Sequence, residues 1–189
     1  MKRHPSRKSF VLALVCMFSA TALADSKEDK QKKIREMAQD TLQRLYQADP
    51  KTKAAIANAA GYAVFSDLGV KILVAGSGKG HGIAVNNQSK QETFMKLLEL
   101  QAGLGVGVEK FKVIFVFDTE KAFDHFINSG WEFGGQSTVA AKSGDKGGGI
   151  AGAVSVSEGV WMYQLTDKGI AADITVKSSK YYKDDDLNN

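Results

Sequence analysis

Residues 74–85 read VAGSGKGHGIAV, with glycine at every second position through the middle of the stretch. A phosphate-binding Walker loop needs a glycine five places before its Gly-Lys pair and a Ser or Thr after it, but Leu73 and Gly80 occupy those places. A dinucleotide-binding loop needs its third glycine where His81 stands and a helix after it, whereas residues 83–85 are strand-forming. The stretch is therefore better explained as a β-strand than as a nucleotide site.

A second stretch, QAGLGVGV at 101–108, repeats this alternation, and the glycines at 147–152 form a looser third instance. Glycine at every second position removes the side chains from one face of a strand, which lets another backbone pack close or lets the sheet bend sharply. We predict a tightly curved, glycine-faced sheet in which Gly78–Gly80 makes a hairpin turn, with Lys79 and His81 at or near its tip.

Hydrophobic periodicity divides the rest of the chain into a helical lead-in and a β-rich body. Apolar residues recur at spacings of three and four over 26–47, and a second, alanine-rich helix is predicted over 50–60. The period then changes to two, apart from one short helix that is capped by Thr119 and ends near Gly130. The predicted strands are 62–66, 70–77, 80–86, 91–98, 101–108, 111–117, 131–142, 149–157, 159–166 and 169–177.

These elements predict an α+β fold. N-terminal helices are expected to pack on a large, curved, mainly antiparallel Gly-rich β-sheet, barrel- or sandwich-like, with one short internal helix. A single domain is predicted over 25–182, with a helical lead-in at 26–60, a β-rich body at 61–182 and a flexible acidic tail at 183–189.

The first 24 residues are predicted to be a cleavable secretory signal peptide. A basic start precedes an unbroken apolar run from Phe10 to Phe18, and Ala22-Leu23-Ala24 places small residues where a signal peptidase cuts. A lipoprotein signal, which would use Cys16, is disfavoured because Val15 before it is not small. We expect cleavage after Ala24 and a periplasmic or secreted protein.

Removal of the signal changes the charge balance and the chemistry. Four of the 25 Lys and Arg leave, so 21 face 21 Asp and Glu, which argues against a nucleic-acid partner. The only cysteine leaves too, and neither His81 nor His125, which is expected on the solvent side of its helix, has a metal-binding spacing. We predict no catalytic residue, no metal site and no cofactor; an enzyme that uses Lys79 and His81 on phosphorylated substrates is the least favoured alternative.

From about Ile56 to Tyr182 the chain resembles the SYLF domain family, a lipid-binding family with bacterial and eukaryotic members. The ordered landmarks are GYAVF at 61–65, the alternating glycines at 76–80 and 103–107, VIFVF at 113–117, Ala122, Phe123 and Phe126 of the short helix, WEFG at 131–134, Lys168-Gly169-Ile170 and Tyr181-Tyr182. The resemblance implies a non-enzymatic module; eukaryotic relatives bind phosphoinositide-bearing membranes and some contact actin. For an exported bacterial-type protein, it implies binding to anionic phospholipid head groups at the envelope.

The resemblance directs attention to exposed cations as lipid contacts. The candidates are Lys30, Lys32, Lys33 and Arg35 in the first helix, Lys51 and Lys53 in the second, and Lys71 and Lys79 in the glycine-rich hairpin. The apolar stripe of the first helix, from Ile34 to Leu45, is expected to pack on its own sheet rather than enter a membrane, and Trp131 and Trp161 are expected in the core. The alternative function is a structural or protein-interaction component of the envelope, whose glycine-faced sheet docks another protein.

Overall fold

The structure, a computed structural model, describes residues 9–72, 75–102, 107–133, 152–166, 169–170 and 178–189. The chain divides into two compact units, residues 1–33 and residues 34–189. The glycines expected at 147–149, and most of the predicted strands 131–142 and 169–177, lie outside the described residues.

Four helices and nine strands are present in these described ranges. The helices are α1 (Ser9–Ala48), α2 (Lys51–Asn58), α3 (Glu120–Ser129) and α4 (Asp185–Asn188). The strands are β1 (Gly61–Ile72), β2 (Ala75–Asn86), β3 (Glu92–Ala102), β4 (Gly107–Phe117), β5 (Trp131–Phe133), β6 (Val154–Ser157), β7 (Val160–Thr166), β8 (Gly169–Ile170) and β9 (Ser178–Lys183).

The strands form one sheet in the order β5-β9-β3-β2-β1-β4-β7-β6, with β8 paired to β7. Every pairing is antiparallel, and the sheet curls strongly into a half-barrel. The predicted α+β fold with a large, curved, antiparallel sheet is therefore confirmed.

The central strands are longer than predicted. β1 pairs with β2 along all of its 12 residues, and β2 pairs in turn with β3. The predicted turn at Gly78–Gly80 is therefore wrong, and Lys79 lies opposite Leu68 within β2 instead of at a hairpin tip. The glycines do not end the strand because their backbone groups are paired on both sides.

At two glycines of β2, the absence of a side chain allows neighbouring atoms to approach closely. A Cβ on Gly82 would overlap the ring of Phe65 and lie 2.5 Å from the carbonyl oxygen of Val64. A Cβ on Gly80 would overlap the carbonyl oxygen of Ser66. β1, the neighbouring strand, thus approaches β2 at Gly80 and Gly82 more closely than a residue with a side chain would allow, so the predicted close approach of chain segments is confirmed at both positions.

The glycine-bearing face of the sheet packs against α3. Phe123 and Phe126 of α3 join Phe65, Phe115 and Phe117 in a buried aromatic cluster. The rings are in contact; those of Phe117 and Phe126, for example, have centroids 5.0 Å apart. The Thr119 hydroxyl accepts the N–H of Ala122, and the helix stops at Gly130, where φ is +70°. The short helix is thus confirmed with the predicted cap and end.

Residues 34–48 of α1 and helix α2 cover part of the opposite face of the sheet. Ile34, Ala38 and Leu45 of α1 and Ile56 of α2 are buried in one cluster with apolar residues of the sheet, among them Val64, Ile83, Ile114 and Val116. The apolar stripe of the first helix therefore packs on its own sheet, as expected.

α1 begins at Ser9, well before the predicted start at Ser26. No glycine or proline interrupts residues 9–48, and the apolar run of the predicted signal consists largely of residues that tolerate a helix. The helix therefore continues from that run into the lead-in, while cleavage after Ala24 stays a prediction. α2 ends at Asn58, two residues before the predicted end.

The acidic tail, predicted to be flexible, makes specific contacts. Asp184 and Leu187 are buried, and Asp184 accepts the N–H of Asp186 at the start of α4. The Asn188 side chain accepts the backbone N–H of Phe94 and donates to its carbonyl oxygen. These contacts extend the edge of β3 beyond its pairing with β9, a role that charge composition alone did not indicate.

Candidate functional site

The register of β2, β3 and β9 places cations and an aromatic residue on one face of the sheet. Residues directly opposite each other in antiparallel strands point to the same side. One row across the three strands is His81, Lys96 and Tyr182. The next row is Lys79, Leu98 and Lys180.

This surface, called the cationic face below, consists of Lys79, His81, Leu98, Lys180 and Tyr182. Lys79, His81 and Lys180 are exposed and Leu98 is half-buried. Tyr182, at 37%, is the exposed large hydrophobic side chain of the described residues. Strands lie about 4.8 Å apart and residues two apart on a strand lie about 7 Å apart, so the face measures roughly 10 by 7 Å between Cα atoms.

Neither lysine of the face forms an ion pair with a described carboxylate, although Glu132 of β5 lies directly opposite Lys180 in the register of β5 and β9. Lys79 and Lys180 flank Leu98 from opposite sides, and no ion pair engages either ammonium group. His81 likewise makes no side-chain hydrogen bond to a described residue. These groups are available to an external anion.

Neighbouring cations of the same sheet side are neutralised within the chain. Lys96 lies 2.8 Å from Asp184 and 3.1 Å from Asp186, and the hydrogen bonds that it donates to these carboxylates, first to Asp184, raise the pKa of Lys96. Lys112 contacts Asp40 of α1 at 2.5 Å, and this hydrogen bond lowers the pKa of Asp40. Of these four described lysines, Lys79 and Lys180 are therefore the two that form no ion pair.

Of the sequence-predicted contacts, Arg35 is already engaged. Its Nε lies 2.7 Å from Glu92, and its guanidinium lies 5.0 Å from the centroid of the Phe94 ring. Lys30, Lys32 and Lys33 are exposed on the part of α1 that belongs to the first compact unit.

Apart from Lys79, the remaining predicted residues lie on other elements than β2, β3 and β9, which carry the cationic face. Lys51 and Lys53 are exposed on α2, which ends just before Gly61. Lys79 is opposite Leu68, seven positions along β1 from Gly61, or about 23 Å at the usual rise per residue. The backbone of Lys71 lies in β1, and its side chain lies outside the described residues. Among the eight candidates, only Lys79 belongs to the cationic face.

Sequence reasoning missed Leu98, Lys180 and Tyr182. The alternation SKYYK at 179–183 places Lys180 and Tyr182 on one side of a strand, and this was the available signal. Their proximity to Lys79 depends on the pairing of β9 with β3, which no local pattern specifies.

The described residues contain no group of three or more His, Cys, Asp or Glu side chains placed to hold a metal ion. No helix among them combines the length and apolar character needed to cross a bilayer.

Comparison with known protein families indicates the class of protein to which this chain is similar. Residues 98–189, which include β9 and the C-terminal half of the sheet, match the model of the Ysc84 family, described as "Las17-binding protein actin regulator". This class comprises binding modules and is not a known enzyme family. This match confirms, over residues 98–189, the resemblance to the SYLF domain family that the sequence landmarks predict.

A particular relative extends the match. Over 154 residues the chain is 30% identical to "Beta cell expansion factor A" of Aeromonas veronii. The alignment covers 82% of this chain and 57% of the relative, so the chain spans little more than half of that protein's length.

Proposed function

We propose that this protein is an exported, non-enzymatic module that binds anionic phospholipid head groups at the cell envelope through the cationic face. The observation that carries the proposal is the pair of exposed lysines without an ion pair, Lys79 and Lys180, on either side of half-buried Leu98, with exposed Tyr182 in the adjacent row. The resemblance to the SYLF family supports a binding role.

The chemistry of the face suits a membrane surface. Each lysine close to an anionic bilayer contributes about 1 kcal/mol of attraction. Tyrosine combines an apolar ring with a polar hydroxyl and favours the boundary between water and lipid. The predicted signal peptide supports an envelope location, where such head groups are abundant.

The acidic tail limits this attraction. Asp186 forms an ion pair with Lys96, which is next to Tyr182 in the same row. The Asp186 side chain is 88% exposed. Its negative charge opposes an approaching anionic head group. Neutralising Asp186 should therefore strengthen binding, whereas neutralising the lysines should weaken it.

Vesicle flotation tests the proposal. The protein should float with vesicles that contain phosphatidylglycerol at low ionic strength, float poorly with phosphatidylcholine alone, and be released by salt. The double variant Lys79→Gln/Lys180→Gln should lose about 30-fold in affinity, since about 2 kcal/mol of attraction is removed. Lys51→Gln/Lys53→Gln removes the same charge from α2 and is the matched control. Equal losses in the two double variants would contradict the proposal.

A protein partner is the second candidate function, favoured by the family description, which names Las17 binding and actin regulation. In this chain the partner would be an envelope protein with an acidic surface. Capture of such a protein that persists without lipid, and that Lys79→Gln/Lys180→Gln abolishes, would favour this alternative over lipid binding.

A further inference from the structure

A cleft of about 560 Å³ opens on the other face of the sheet, beside α3. Its walls come from α3, from Trp131 of β5, and from the turn between β6 and β7. Its lining residues Phe117 and Phe126 share a buried cluster with Phe65, which packs on Gly82, so the cleft lies on the side of the sheet that carries Gly80 and Gly82. Lys79 and His81 alternate with these glycines and therefore point to the opposite side. The cleft is therefore separate from the proposed lipid surface.

The floor of the cleft is apolar and buried. Phe117, Phe126 and Val160 are buried members of the aromatic cluster, and Ala122 packs against it. The Trp131 ring forms a side wall, with its centroid 6.0 Å from that of Phe126. An apolar floor of this kind can pack against a flat aromatic ring or a short branched aliphatic chain.

The rim of the cleft is charged and asymmetric. Lys121 and His125 are four residues apart on α3, so they lie on the same side of the helix. Both are exposed, and neither has a hydrogen-bond or ion-pair partner in the described residues. Glu158 lines the cleft from the turn between β6 and β7.

We propose that this cleft binds a small organic anion with an apolar body, such as an aromatic carboxylate. The ring would lie on Phe117, Phe126 and Val160, and the carboxylate would meet Lys121 and His125. The volume lies within the range of small-molecule sites, about 300–1,000 Å³. Glu158 repels negative charge on its own side, which orients the ligand and disfavours dianions.

Calorimetric titration with 2-naphthoate tests this proposal, with 2-naphthalenemethanol as the uncharged analogue. We expect 2-naphthoate to bind and the alcohol to bind about tenfold more weakly, the effect of losing one charge-assisted contact. Lys121→Gln should weaken 2-naphthoate binding by a similar factor. Glu158→Gln should tighten it, because a repulsion is removed. Lys53→Gln is the matched charge control on α2 and should change nothing.

Ala122→Phe should abolish binding by filling the floor; if this variant does not fold, the two rim variants decide the question. The proposal is overturned if 2-naphthoate does not bind at millimolar concentration, if both ligands bind equally, or if Lys121→Gln and Glu158→Gln leave the affinity unchanged. Vesicle flotation of Lys121→Gln should match that of the unmodified protein. A failure here would therefore be distinct from a failure of the lipid proposal.

Discussion

A single methyl group added at Gly82 should strongly destabilise the protein. The Cβ of Gly82→Ala would overlap the Phe65 ring and lie 2.5 Å from the carbonyl oxygen of Val64. Elsewhere, Gly→Ala stabilises a protein by about 0.4–1 kcal/mol when the backbone permits it. Overpacking a core costs about 1–3 kcal/mol, and the backbone of a central strand cannot rotate away. We therefore expect a loss near the upper end, about 3 kcal/mol.

Urea unfolding measures this loss as a change in the free energy of unfolding. His81→Ala is the matched control, because His81 is exposed on the other side of the same strand and should change stability by about 0.5 kcal/mol or less. Phe65→Leu removes part of the clash, so the double variant with Gly82→Ala should be more stable than the two single losses predict together. A Gly82→Ala protein as stable as the unmodified chain would refute the reasoning.

Three further changes test the packing and the electrostatics. Thr119→Ala removes the hydroxyl that accepts the Ala122 N–H, and thermal melts should show a loss of about 1 kcal/mol. Tyr163→Phe should raise stability in the same melts, because the buried Tyr163 hydroxyl has no partner in the described residues. The pKa of Lys96 is raised in the folded protein. Its ion pairs therefore stabilise the fold fully below pH 10.5, the ordinary pKa of a lysine, and this stabilisation is lost as the pH rises above 10.5. Urea titrations should therefore show the difference between the unmodified protein and Lys96→Met shrinking at alkaline pH; a difference that grows there would be inconsistent with the Lys96–Asp184 pair.

Local signals predicted α3 well and the strand ends poorly. The cap at Thr119 and the stop at Gly130 are short-range features, and both are found where expected. Whether a glycine ends a strand depends instead on its neighbours. At Gly78–Gly80 the partners on β1 and β3 continue the pairing, so the expected turn does not form.

The candidate site was predictable only in part, for the same reason. Lys79 was a candidate because it is a cation in an unusual glycine-rich strand. Lys180 lies in the same row as Lys79 because both are paired with Leu98, and Leu98 and Lys180 are far apart in sequence. Arg35 was a candidate because it lies on a basic helix face, but Glu92 from β3 already satisfies it. Helical spacing predicts which side of the helix a cation lies on, but it does not predict which residue of another element will contact that cation.

The central claim is that the cationic face touches the membrane, and a fluorescent label at its centre tests this most directly. In a Cys16→Ser background the chain has no cysteine, so Leu98→Cys and Lys53→Cys each accept one environment-sensitive dye. On addition of phosphatidylglycerol vesicles, the dye at position 98 should shift to the blue while the dye at position 53 stays unchanged. A shift at position 53 without one at position 98 would contradict the account.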